Sequence, residues 1–167
     1  MRALFAAALL ALAACGDDPA PAAPSLGPDG IAPFRMGMTL QELHAAFGMT
    51  PPEGVDPGAC LYIDSNEGPR LALMIQDGVL QRIEAREAAV PLEHGLHLGD
   101  PAAKVLAAYG DNVEVQPHKY DHETGAQYLT VFTPDKKRAI RYVTDGTNIT
   151  GAHAGNAEAV QLVEGCG

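Results

Sequence analysis

Apolar residues recur at two different periods along this chain, and the switch between them outlines the elements. Leu40, Leu43 and Phe47 fall on one face at helical spacing, as do Ala102, Val105, Leu106 and Tyr109. The first run opens with Thr39 and Glu42, a capping box, and closes at Gly48, where a left-handed cap is expected. The second opens with Asp100 as N-cap and Pro101 at the first helical position, and closes at Gly110. After each run the period shortens to two. Strands are predicted over 60–63, 71–75 and 79–86, with Asp77-Gly78 as a hairpin turn between the last two. In the second half they are predicted over 114–122, 128–133 and 138–144, with further strands over 148–152 and 159–164. Leu71, Leu73 and Ile75 alternate with Ala72 and Met74, while Arg82, Glu84 and Arg86 share a face expected to meet water.

The two halves look like copies. Gly37 and Gly48 fall on Gly99 and Gly110, the pair Ala45-Ala46 on Ala107-Ala108, and Phe47 on Tyr109. The expected fold is therefore α+β: two tandem repeats, each one helix followed by an antiparallel meander, with the helices packed on one face of the sheet. The first repeat is placed at residues 31–92 and the second at 93–167.

The start of the chain has a different character. An uninterrupted apolar stretch over 3–14 follows Arg2 and is shorter than the roughly 20 residues that span a bilayer. It ends Leu12-Ala13-Ala14-Cys15, which resembles the lipobox of bacterial lipoproteins. The resemblance implies a signal peptide over 1–14, a lipidated Cys15 as the first mature residue, and a membrane anchor through its acyl chains. A secretory signal cut elsewhere is the rival reading, since Arg2 alone makes a thin positive region. Residues 15–30, rich in proline and alanine, read as a flexible tether. The implied location is the cell envelope facing the periplasm, with the outer membrane favoured over the inner.

A second resemblance rests on Gly37-Met38-Thr39 opening a helix that ends Phe47-Gly48 before three strands. This is similar to the small outer-membrane lipoproteins of the SmpA/OmlA type, and two such units in tandem resemble β-lactamase-inhibitor-protein-like domains. Residues 95–100 and the closing Val163-Glu164-Gly165-Cys166 also resemble a group of uncharacterised proteobacterial lipoproteins. These likenesses imply a fold and a location; they carry over no functional residue beyond Cys15 and the cysteine pair.

The formal net charge is −10, which argues against nucleic acid and against anionic lipid surfaces as partners. It leaves a basic protein partner open, such as a secreted lysozyme-like enzyme that an inhibitor would grip. Of three cysteines, Cys15 is assigned to lipid. Cys60 and Cys166 then form an even pair in an oxidising compartment and read as one disulfide. Two free thiols or a metal pair are the alternatives, the latter without any Cys-x-x-Cys motif.

Candidate chemistry is sparse. The serines, Ser25 and Ser65, lie outside any Gly-x-Ser-x-Gly elbow, and neither a phosphate-binding glycine loop nor a dinucleotide fingerprint occurs. On a strand, His118, Tyr120 and His122 would share one side; with His94 or His97 they could ligate zinc or copper. A periplasmic metal-binding protein built on His118 and His122 is thus the alternative function. The leading expectation is a non-enzymatic, lipid-anchored protein-binding or envelope-accessory module without a cofactor. Its partner would be another envelope or extracellular protein, met through Tyr62, Tyr120, Tyr128 and Tyr142.

Overall fold

A computed structural model describes residues 24–56, 58–65 and 68–167, with the side chain of His122 outside them. The signal peptide, Cys15 and most of the tether therefore lie outside the described residues. A two-residue ribbon, β1 (Gly30–Ile31) and β2 (Phe34–Arg35), precedes α1 (Leu40–Phe47). Strands β3 (Leu61–Asp64), β4 (Leu71–Gln76) and β5 (Val79–Ala85) follow, then α2 (Ala103–Tyr109). The chain ends with β6 (Val113–Pro117), β7 (Gln127–Phe132), β8 (Arg138–Thr144) and β9 (Ile149–Asn156), after which a 3-10 turn spans Ala159–Gln161.

These strands make one seven-stranded antiparallel sheet in the order β3-β4-β5-β9-β8-β7-β6. The α+β expectation of two helix-plus-meander repeats is corrected by this topology. The protein is mostly β; strands from both halves share a single sheet, and the helices are only eight and seven residues long. Each helix contributes one fully buried residue, Leu43 and Val105. The rest of the cover over the apolar face comes from Leu26, Ile31, Phe34, Val90, Leu92 and Leu96, outside the helices. The sequence signals behind the repeat were helix stop and start signals, which carry no information on how strands from distant segments pair.

Two neighbouring rows of the sheet show how its faces differ. Ile63, Leu73, Ile83, Ala154, Ile140, Val131 and Val113 stand in register across all seven strands, and this apolar face is the core. The next row, on the opposite face, reads Asp64, Ala72, Glu84, His153, Arg141, Thr130 and Glu114. One position along each strand moves from a wholly hydrocarbon row to one dominated by charge, as the alternation of strand side chains requires.

Thr39 caps α1 reciprocally with Glu42, and Gly48 adopts the left-handed cap at φ 65°. Asp100 does not cap α2; its carboxylate accepts from His97 N and Lys104 instead, and the helix begins at Ala103. Strand β6 stops at Pro117, whose missing N–H suits an outer strand, and one further backbone bond, from His118 N to Ala126 O (2.9 Å), precedes the turn. The strand expected over 159–164 is a 3-10 turn followed by further turns.

Candidate functional site

The polar row is not open to water along its length. Residues 157–167 fold back over it as a strap. Arg82 Nη1 donates to the carbonyl oxygens of Ala159 (2.9 Å) and Leu162 (2.7 Å), and His153 Nε2 pairs with Val160 O at 2.8 Å. Cys60 and Cys166 are disulfide-bonded, with their Cα atoms 5.2 Å apart, which ties the strap to the start of β3. The expectation that Arg82, Glu84 and Arg86 meet water is thereby corrected: Arg82 is 4% exposed, and only Arg86 remains near solvent.

Glu84 sits at the centre of a dense set of partners. It accepts from Arg82, from Tyr62 Oη (2.6 Å) and, through its other oxygen, from Arg86 (3.0 Å). Burial pushes the carboxyl up, but the Tyr62 hydroxyl and the arginines outweigh this and hold it below the usual carboxylate range. Burial and that same bond push the Tyr62 phenol up to about 12. His153, beside them on β9, is pushed down to about 3 by burial and then by Arg82, so it stays neutral.

Arg141 is different. Its Nε donates to Thr130 Oγ1 (2.9 Å) and its Nη2 to Gln116 Oε1 (3.0 Å), and its guanidinium lies 4.7 Å from the centroid of the Tyr128 ring. It is 2% exposed and has no carboxylate partner among the described residues. Desolvation lowers its affinity for the proton, and the fields of Tyr128 and of Glu114, which is not bonded to it, offset this only in part. Nη1 makes no hydrogen bond among the described residues, yet no buried donor there lacks a partner, so this nitrogen is reached from solvent.

What it faces is a cleft of about 460 Å³. The floor comes from β5, β9, β8 and β7, through Glu84, Gly151, Arg141 and Tyr128. One wall is the strap at Val163; the other is the turn carrying His118 and Tyr120. The two walls are pinned at the rim, where Glu164 accepts from Lys119 Nζ (3.0 Å) and from the Tyr120 hydroxyl. A larger cavity of about 670 Å³ lies by Asp29 and Arg138, but there the arginine is already paired with Asp29.

The four tyrosines singled out in the sequence separate. Tyr128 and Tyr120 line the cleft, the first nearly buried with its ring 4.7 Å from that of His118, the second 58% exposed. Tyr62 lies alongside, bonded to Glu84. Tyr142 is corrected: it is fully buried on the apolar face, where its hydroxyl meets that of Tyr109 at 2.9 Å. The histidines also separate. His118 lies in a turn after β6, and its Nδ1 accepts from the backbone N–H of Tyr120 (3.3 Å) and Asp121 (3.1 Å). His94 packs edge-on against Tyr109. No group of three His, Cys, Asp or Glu residues among the described residues is placed to hold a metal ion. The His122 side chain lies outside the description.

Sequence reasoning missed Arg141, His153 and the burial of Arg82 and Glu84. Arg141 interrupts the apolar run Ala139–Val143 between Ile140 and Tyr142, and that interruption was the available signal.

No family model matches the chain, and no curated protein does. Among solved structures it is similar to the uncharacterized protein yfeY from Escherichia coli, at 13% identity over 80% of this chain and 97% of that chain. The TM-score is 0.43, too low to argue from.

Proposed function

We propose that this chain is a lipid-anchored, non-enzymatic accessory module of the bacterial envelope that recognises another envelope or extracellular protein through the polar-face cleft. The lipobox-like Leu12-Ala13-Ala14-Cys15 supports the anchor and the periplasmic orientation. The recognition surface rests on one observation: a buried guanidinium, Arg141, that opens onto a cleft and is bonded to no carboxylate among the described residues. Burying a charge beside neutral partners costs stability, and a partner's anion would remove that cost. Tyr120 and Tyr128 add the aromatic area that anchors protein contacts. The chemistry of the cleft favours an acidic contact, whatever the overall charge of the chain.

A photo-crosslinking residue placed at Tyr120 in living cells should trap one discrete adduct, and the same probe at exposed Leu106 on α2 should not. Equal adducts from both positions, or none from Tyr120, would count against the reading. Intact mass of the membrane-extracted protein should show Cys15 as an acylated first residue; an unprocessed chain would remove the anchor from the proposal.

A further inference from the structure

We infer that the cleft is a carboxylate-binding site, with Arg141 as the anion contact and an apolar body of the ligand lying along Tyr128, Val143 and Val163. The inference rests on the reading of this cleft as the recognition surface and names the chemistry it takes.

The cleft carries an excess of positive charge. Its lining holds three arginines, Arg82, Arg86 and Arg141, against one carboxylate, Glu84. Glu84 is fully engaged by Arg82, Arg86 and Tyr62, so it has nothing left for Arg141. Two further acids stand in the same row: Asp64 lies on β3 at the far edge of the sheet, and Glu114 accepts from Gln116 Nε2 at 2.7 Å, while the carbonyl end of that amide is what meets Arg141. The site is therefore built on neutral acceptors that orient the guanidinium fork and leave Nη1 for a ligand. Fork donors suit planar carboxylates, and charge-assisted hydrogen bonds of this kind are the strong ones.

Shape supports the second half of the inference. Gly151 stands opposite Val143 on the floor, and Val143 in turn stands opposite Tyr128 in the same row. A Cβ there would sit 3.6 Å from Val143, an ordinary contact, so the position is not emptied by crowding. The missing side chain deepens the floor next to Val143, whose neighbour on the other side, Tyr128, has its ring already fixed by His118 and Arg141. An apolar or aromatic group fits this space. A phosphate dianion does not: it would bring its second charge towards Glu84 and its hydration against hydrocarbon walls.

The test is a calorimetric and NMR titration of the purified full-length chain. N-acetyl-phenylalanine carries an α-carboxylate beside an aromatic body, and a blocked Phe-Glu dipeptide amide carries only a side-chain carboxylate. At least one should bind saturably, and which one does identifies a chain terminus or an acidic side chain as the source. N-acetyl-phenylalaninamide should bind at least about tenfold more weakly than the acid. Arg141→Gln should lose at least about tenfold in affinity for the carboxylate, as should Gly151→Val, which fills the floor; Arg138→Gln should bind as the wild type does. Acid and amide binding alike, no binding of either acid, or tighter binding of inorganic phosphate would overturn the inference. The acid-against-amide comparison uses only the unmodified protein and so stands even where a variant fails to fold. A Tyr120 crosslink that persists while no carboxylate binds would sink this inference and leave the proposed function standing.

Discussion

Arg82 on β5 reaches the carbonyl oxygen of Leu162 at 2.7 Å, and this bond joins the polar face of the sheet to the strap that covers it. The same guanidinium holds Glu84 and a second strap carbonyl, that of Ala159. Replacing Arg82 with Met should therefore leave two strap carbonyls without their donor and Glu84 with only Tyr62 and Arg86 as partners. The expected loss is about 3 kcal/mol in chemical denaturation, because breaking a buried pair costs far more than the pair contributes. A loss below about 1 kcal/mol would show that water enters under the strap and replaces the guanidinium.

The disulfide closes a loop with a sequence separation of 106. Chain-entropy arguments put such a crosslink at up to about 4.7 kcal/mol, often less in practice. A Cys60→Ser, Cys166→Ser double variant should melt lower than the oxidised wild type. Hydrogen exchange should rise first in 157–167, and reduction of the wild type should reproduce the effect. Unchanged exchange in that segment would mean Arg82 and His153 hold the strap unaided.

Stability should fall on acidification in a particular window. The folded-state pKa of His153, about 3, lies below its ordinary 6.5, so the unfolded chain binds the proton more readily. Its contribution is complete above about pH 6.5 and is lost as pH falls towards 3, with a slope of at most about 1.4 kcal/mol per unit. Glu84, also lowered, adds to the loss below its ordinary 4.5. Denaturation curves across this range should be flatter for His153→Gln between pH 6.5 and 4.5. A wild-type curve that is level over that interval would contradict the buried, neutral imidazole.

Tyr142 and Tyr120 offer a paired comparison. Removing the buried Tyr142 ring with Ala should cost about 3–5 kcal/mol, whereas Tyr142→Phe should cost about 1 kcal/mol through the lost contact to Tyr109. Tyr120→Ala, at an exposed site, should stay within about 1 kcal/mol. Thermal melts of the three variants settle the ranking.

What could be read in advance follows from how local each decision is. The Asp77-Gly78 hairpin and the helix between Thr39 and Gly48 are fixed within a few residues, and both form as the sequence suggests. Arg82 and Glu84 looked like solvated strand positions because nothing within β5 reveals a covering layer. That layer arrives 77 residues later, at Ala159. The apolar residues of 159–164 suggest a strand, but Val160 is buried in a 3-10 turn, where its carbonyl serves His153 instead of a ladder. The repeat misled for a related reason: matching helix boundaries say nothing about β5 and β9 becoming neighbours.

That pairing also orders events in time. Residues 82–85 find their partners at 152–155, so the middle of the sheet is the last part of it to be synthesised. A growing or translocating chain exposes one flank of β5 until β9 emerges, and closure of the sheet then depends on contacts between distant segments. Maturation of this protein should consequently be late and all-or-none, with shortened products that end before β9 left as targets for proteolysis.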